Sequence, residues 1–166
     1  MDMPTRRSVL GAGAVLLSSL AGCAGFAVEQ GTETSGSGTV AQNLDLREAN
    51  VTEVTVEATD EGDYRFGVTL YHDDDGEDGY ANWWQVETLN GERLGRRDLR
   101  HAHSTQPFTR SDTISVPDGV SCVVVRGHDQ LHGYGGQALA VALPAGETSA
   151  VRQGSDRRAV DTGDCP

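Results

Sequence analysis

The chain has no lysine, and its only methionines are Met1 and Met3. All 13 of its basic residues are therefore arginines, and they stand against 25 aspartates and glutamates, which gives a formal net charge of -12. Because contacts between phosphates and a basic face supply much of the affinity for nucleic acid, this balance argues against a nucleic-acid partner. The lack of methionine after residue 3 also argues against a blue-copper site, which has a weak axial methionine beside two histidines and a cysteine.

The chain also lacks an apolar run long enough to cross a membrane. The run from Ser8 to Gly22 is shorter than the roughly 20 residues that a membrane-spanning helix needs. The pair Arg6-Arg7 precedes it, and Leu20-Ala21-Gly22-Cys23 ends it. Paired arginines before a short apolar run are typical of a twin-arginine export signal, and a small-residue cleavage site ending in cysteine is typical of a lipoprotein. The sequence therefore predicts a signal peptide at 1–22, a lipid on Cys23 and a protein anchored to the outer face of the cytoplasmic membrane.

From Cys23 onward the chain keeps 24 acidic residues and 11 arginines, a formal charge of -13, because residues 1–22 contain one aspartate and two arginines. A surface rich in carboxylates, with arginine as the only basic side chain, resembles the proteins of salt-loving archaea, whose exported lipoproteins often carry this kind of signal. In about 1 M salt the Debye length is about 3 Å, so repulsion across such a surface is screened. The composition predicts a fold that loses stability at low salt.

No segment of ten residues after the signal has the 3.6-residue apolar repeat of a helix, whereas short segments with an apolar residue at every second position are frequent. This pattern predicts an all-β fold, a single antiparallel β-sandwich of immunoglobulin-like or jelly-roll type. Asn90-Gly91 predicts a hairpin turn. The predicted organisation is a flexible linker at 23–48, the sandwich at 49–143 and a flexible acidic tail at 144–166. The later predicted strands are 98–103, 108–116, 120–129 and 137–143.

Two covalent modifications are candidates for a protein outside the cell. Cys122 and Cys165 can form a disulfide there; alternatively, Cys122 is a small buried residue in an apolar strand and Cys165 belongs to a frayed terminus. Asn50-Val51-Thr52 is a glycosylation sequon, which makes Asn50 a candidate acceptor.

Four of the five histidines lie in two pairs between positions 101 and 132. In a strand, residues two apart face the same side, so the first pair can converge on one ion, and the second pair flanks a possible strand end. Neutral imidazole is a common ligand of Zn²⁺ and Cu²⁺. The sequence therefore predicts a Zn or Cu site, with hydrogen-bonding structural roles as the alternative, at His101, His103, His128 and His132.

The loop from His72 to Gly79 contains five carboxylates and two glycines. Hard cations such as Ca²⁺ bind six to eight oxygen ligands, and this loop resembles the start of a calcium-binding loop. No EF-hand pattern is present, and a solvated acidic loop is the alternative. The candidate ligands are Asp73, Asp75 and Asp78.

Arginines are concentrated beside the first histidine pair, where five of them fall between positions 93 and 110. Guanidinium groups bind carboxylates and phosphates through two parallel hydrogen bonds, so this segment predicts a site for an anionic ligand. The alternative is ion pairing with acidic residues of the chain, including Asp98. The candidate anion-binding residues are Arg96, Arg97, Arg100 and Arg110.

Residues 64–143 resemble a family of exported bacterial and archaeal proteins that has no assigned activity. The resemblance rests on His72-Asp73-Asp74, on His101-x-His103 followed by Gln106–Ser111, and on His128-Asp129 with His132–Gly136. The family pattern has proline where this chain has Ala102. The resemblance implies that the histidine and glycine-rich segments form one unit, and it implies no activity.

Motifs of common catalytic classes are missing, including G-x-S-x-G and H-E-x-x-H. The sequence therefore favours a lipid-anchored binding protein over an enzyme. Its expected ligand is a transition metal at the histidines; the alternative is a metal-free domain that binds an anionic small ligand, or another envelope protein, through the arginines.

Overall fold

The computed structural model describes residues 43–59, 62–73, 76–103 and 105–166. The predicted signal peptide, Cys23 and most of the predicted linker lie outside these residues. No helix in the described ranges is long and apolar enough to cross a membrane. The same ranges contain nine strands: β1 (Asn50–Ala58), β2 (Asp63–Tyr71), β3 (Ala81–Thr88), β4 (Arg93–Asp98), β5 (Phe108–Ser115), β6 (Cys122–Asp129), β7 (Gly133–Tyr134), β8 (Gln137–Ala142) and β9 (Thr148–Arg152).

The strands form two antiparallel sheets. The smaller sheet has the order β1-β2-β5, and the larger has the order β4-β3-β6-β8-β9, with β7 paired to β6. Between the sheets, Phe66 and Val68 of β2 share one apolar core with Trp84 and Val86 of β3, and all four side chains are fully buried. The prediction of an all-β antiparallel sandwich is confirmed.

The turns follow the local sequence closely. Gly91 lies between β3 and β4 with a φ of 85°, which glycine adopts readily, and its N–H donates to the Thr88 carbonyl at 2.9 Å. The hairpin expected at Asn90-Gly91 is therefore present. The strand predicted at 98–103 is wrong, because β4 ends at Asp98. The Leu99 N–H donates to the Asn82 carbonyl at 2.9 Å, and the chain then leaves the sheet.

The C-terminal segment is part of the fold, so the prediction of a flexible tail at 144–166 is wrong for this region. Strand β9 pairs with β8, and Val160 packs on the outer face of the larger sheet. A disulfide joins Cys122 to Cys165 with an S–S distance of 1.99 Å. Of the two alternatives that the sequence left open for these cysteines, the structure therefore has the disulfide. A five-residue strand and a single valine give too weak a periodic pattern to be recognised in a sequence.

A buried ion pair lies beneath this C-terminal segment. The side chains of Glu87 and Arg126 are only 1% and 2% exposed, and Arg126 Nε donates to Glu87 Oε2 at 2.9 Å. Arg157 donates to the same oxygen from Nε at 3.1 Å and from Nη2 at 3.0 Å. Arg126 Nη2 in turn donates to the Arg158 carbonyl at 2.7 Å. The C-terminal segment thus completes the hydrogen bonding of charges that it also shields from water.

The N-terminal end of the described chain also packs on the sandwich. Arg152 Nη2 donates to the Asn43 carbonyl at 3.0 Å, so the last residues of the predicted 23–48 linker are attached to the domain. Asn50 is fully buried, and its Nδ2 donates to the Asp45 and Glu48 carbonyls at 2.8 and 2.7 Å. The prediction that Asn50 is a glycosylation site is therefore wrong for the folded protein, because its amide nitrogen is inaccessible and already engaged.

Candidate functional site

Strands β4 and β5 are edge strands of different sheets, and they face each other along one side of the sandwich. We call the line between them the seam. The two strands touch where Gly95 of β4 meets Ile114 of β5, since a Cβ on Gly95 would lie 2.8 Å from Ile114 Cγ1. Only a residue without a side chain allows this approach, so the seam is closed at this point.

Farther along the seam, β5 places charged side chains on the inner face of its sheet. Arg110 lies directly opposite Val68 of β2, and Asp112 lies opposite Phe66. Directly opposite residues of an antiparallel pair share a face, and both partners on β2 are buried in the core. Arg110 and Asp112 therefore face the inside of the sandwich, whereas the residues directly opposite them on β2 are apolar.

Strand β4 contributes a third inward-facing charge. Arg97 is opposite Trp84, which is fully buried in the core, so it also faces the inside of the sandwich. Its Nε atom is buried and has no hydrogen-bond partner in the described part of the chain. A buried donor without an acceptor is costly, and a donor on a charged group is especially so. Arg97 Nε thus lacks the acceptor that a buried charged donor needs.

These side chains border a pocket of about 510 Å³ at the seam, which we call the seam pocket. It brings together all four of the predicted anion-binding arginines and the first histidine pair. Two aspartates and one leucine complete its wall. The residues are Arg96, Arg97, Asp98, Leu99, Arg100, His101, His103, Arg110 and Asp112.

Two of the arginines are held in place by neutral groups. The Arg96 guanidinium lies 3.8 Å from the ring centroid of Trp83 and donates to Gln85 Oε1 from Nε at 3.0 Å and from Nη2 at 2.5 Å. Arg110 Nη1 donates to the Thr109 carbonyl at 2.8 Å. Among the described residues, none of the four arginines forms an ion pair within 4.0 Å. Among the described residues, ion pairing with Asp98, the alternative that the sequence left open, therefore does not hold these arginines in place.

Aromatic stacking orients the histidines of the pocket. The His103 ring is stacked on Phe108 with centroids 4.1 Å apart, and His101 meets His103 edge-on at 4.9 Å. Burial, followed by the nearby Arg110 guanidinium and by His101 and His72, lowers the pKa of His103 to about 4. His103 is therefore neutral at pH 7, and its Nδ1 is buried without a hydrogen-bond partner in the described chain.

The second histidine pair has structural roles elsewhere. His128 is stacked on Trp83 with centroids 4.3 Å apart, and its Nδ1 lies 2.8 Å from Asn82 Oδ1. Burial, followed by the charge of Arg96, lowers the pKa of His128. His132 Nδ1 lies 3.1 Å from Asp129 Oδ1.

The prediction of a Zn or Cu site at His101, His103, His128 and His132 is therefore wrong. In the part of the chain that the structure describes, no three histidine, cysteine or carboxylate side chains are placed to hold a metal ion. The physical reason is that three of the rings are packed against other rings, while His132 is tied to the aspartate of its own turn.

The acidic loop gives no support to a hard-cation site. Asp73 and Asp78 are exposed, and among the described residues of this loop no three side chains are placed to hold a metal ion. Asp75 lies outside those residues. A cation at this loop therefore stays an untested prediction.

The chain is similar to a protein of Halomicrobium mukohataei that is described as "Putative lipoprotein". The two sequences are 63% identical over 133 residues, which are 80% of this chain and 66% of that protein. The chain thus spans slightly less than two thirds of its relative. No protein-family model matches the chain, and no solved structure is significantly similar to it. The similarity supports the expected likeness to lipoproteins of salt-loving archaea, whereas the family resemblance of residues 64–143 gains no support.

Three residues of the seam pocket were not among the predicted site residues, namely Asp98, Leu99 and Asp112. Asp98 was considered only as an ion-pair partner, and sequence reasoning did not single out Asp112. A signal for it exists, because Phe108, Arg110, Asp112 and Ile114 alternate with exposed or polar residues and so share one face of β5. Two charged residues between two apolar residues of the same parity indicate an inward-facing polar site.

Proposed function

We propose that this protein is an exported, lipid-anchored binding protein that holds an anionic small ligand in the seam pocket. The observation that carries the proposal is the inward orientation of Arg97 and Arg110 beside a buried, unpartnered Nε. Charged side chains on the inner face of a sandwich are unfavourable without a partner, and an anionic ligand supplies one.

The charge of the pocket supports an anion in particular. Four arginines and two aspartates line it, so it has a net positive charge on a chain whose formal charge is -12. Guanidinium groups favour carboxylate, phosphate and sulfate because they donate two parallel hydrogen bonds to them. The low pKa of His103, caused first by burial and next by Arg110, is consistent with this local positive potential.

Binding is tested by calorimetric titration with phosphate, sulfate and citrate at one fixed KCl concentration. We expect at least one anion to bind, and Arg97→Gln and Arg110→Gln each to weaken that binding about tenfold or more, because a hydrogen bond to a charged group contributes about 1.5–3 kcal/mol. Arg65→Gln is the matched control, since Arg65 is exposed on β2 and does not line the pocket.

The control should bind like the unmodified protein. If no anion binds below about 10 mM, or if Arg65→Gln weakens binding as much as Arg97→Gln, the seam pocket is not an anion site. In either case, binding of another envelope protein through the same arginines becomes the better interpretation.

The anchor is tested by fractionation of cells. The similarity to a haloarchaeal protein described as a lipoprotein supports lipidation at Cys23, and Arg6-Arg7 supports export by the twin-arginine route. We expect Cys23→Ser to move the protein from the membrane to the soluble fraction, and the double variant Arg6→Lys, Arg7→Lys to stop export although it keeps the charge. Ser19→Ala is the control and should stay in the membrane. Retention of Cys23→Ser in the membrane would refute the anchor.

A further inference from the structure

The seam pocket contains a carboxylate where a site for a fully ionised anion should have none. Asp112 follows Arg110 by two residues on the inner face of β5, and both line the pocket. A carboxylate at neutral pH only accepts hydrogen bonds, so it repels any anion that has no proton to donate. An anion that retains a proton can instead donate it in a hydrogen bond to the same carboxylate.

Asp112 is fixed in the orientation that this requires. Its Oδ1 accepts a hydrogen bond from the Thr113 backbone N–H at 2.9 Å. Within the described residues, its other oxygen, Oδ2, forms no hydrogen bond, and Asp112 takes part in no ion pair within 4.0 Å with Arg97 or Arg110. One carboxylate oxygen is thus held by the backbone, and the second is left for a donor.

Donors and acceptors therefore lie together in the pocket. Arg97 Nε is a buried donor without a partner, and His103 Nδ1 is a buried ring nitrogen without one. Phosphate matches such a mixed set, since at neutral pH it keeps at least one P–OH group as a donor and has two or more charged oxygens as acceptors. Sulfate has the same tetrahedral shape and has lost all its protons. The two ions therefore differ mainly in the hydrogen bond that they offer to Asp112.

We infer that the seam pocket selects a protonated phosphate group over sulfate, with Asp112 accepting the hydrogen bond of the P–OH group while Arg97 and Arg110 bind the charged oxygens. This inference rests on the proposed anion site and names its ligand class, which is inorganic phosphate or a phosphate ester that retains a proton. Asp98 also lines the pocket but lies opposite Trp83, on the outer side of its sheet, so Asp112 is the selecting residue.

The test is a set of calorimetric titrations with phosphate, arsenate and sulfate at constant KCl and pH 7. Arsenate keeps a proton as phosphate does, so we expect phosphate and arsenate to bind about ten to a hundred times more tightly than sulfate. Asp112→Asn should remove most of this preference, because an amide can donate to sulfate. Asp118→Asn removes the same charge in the exposed turn before β6 and should keep the preference.

The outcomes separate this inference from the proposed function. If sulfate binds as tightly as phosphate and Arg97→Gln weakens both, the anion site stands and the selectivity is refuted. If Asp112→Asn keeps the full preference, Asp112 is not the selecting residue. If none of the three anions binds, the selectivity is refuted, and the anion site then stands only if citrate binds. The comparison of arsenate with sulfate uses the unmodified protein, so it remains decisive even if Asp112→Asn does not fold.

Discussion

Glu87→Gln should lower the free energy of unfolding by about 3–5 kcal/mol, measured by urea denaturation at a fixed KCl concentration. Glu87 is 1% exposed and accepts hydrogen bonds from both Arg126 and Arg157. Removing its charge leaves the Arg126 guanidinium, which is 2% exposed, buried without a counterion. An uncompensated buried charge is far more costly than the loss of an exposed ion pair, which contributes about 0–1 kcal/mol.

The matched control is Glu53→Gln, which removes the same charge from an exposed position on β1 and should change the free energy of unfolding by no more than about 0.5 kcal/mol. The double variant Glu87→Leu, Arg126→Met should regain most of the lost stability, because it removes both charges and leaves apolar side chains. An effect of Glu87→Gln as small as that of Glu53→Gln would show that the C-terminal segment is not held by this ion pair.

A reduction from about 3 M to about 0.1 M KCl should lower the melting temperature by more than about 10 °C. The chain from Cys23 onward has 24 acidic residues and 11 arginines. At about 0.1 M salt the Debye length is about 10 Å, so exposed carboxylates repel one another over distances that concentrated salt screens. The melting temperature is measured by circular dichroism, because the sandwich has a β-sheet signal.

The control for the salt effect is an uncharged solute. Sucrose added to the protein in about 0.1 M KCl stabilises folded proteins by exclusion from their surface, but it does not screen charge. We expect it to recover less stability than KCl and NaCl, which should act alike. A melting temperature that is constant from about 0.1 to 3 M KCl would contradict screening of the acidic surface.

Much of the fold was predictable because its signals are local. The period-2 alternation in β2 and β5 and the Asn90-Gly91 turn depend only on neighbouring residues, and the structure has all three. The C-terminal segment was not predictable, because it is held by one disulfide and by contacts of Arg157 and Val160 with strands far away in the sequence.

The candidate site was predictable only in its composition. The arginines gather in the seam pocket because β4 and β5 are edge strands of different sheets, an arrangement that no local pattern encodes. The histidine pairs failed as a metal site for the same reason. The prediction that His101 and His103 share a face assumed a strand over 98–103, whereas β4 ends at Asp98. His128, near the end of β6, is stacked on Trp83 instead.

The most direct test of the anion site is the side-chain Nε–H resonance of Arg97, followed by ¹H–¹⁵N NMR during a phosphate titration at constant KCl. Because this donor is buried without a partner in the described chain, a phosphate oxygen that accepts its hydrogen bond should shift the resonance strongly. The shift should saturate at the affinity found by calorimetry, while the Nε–H of Arg65 stays in place. An Arg97 resonance that does not move, or that moves no more than that of Arg65, would contradict ligand binding in the seam pocket.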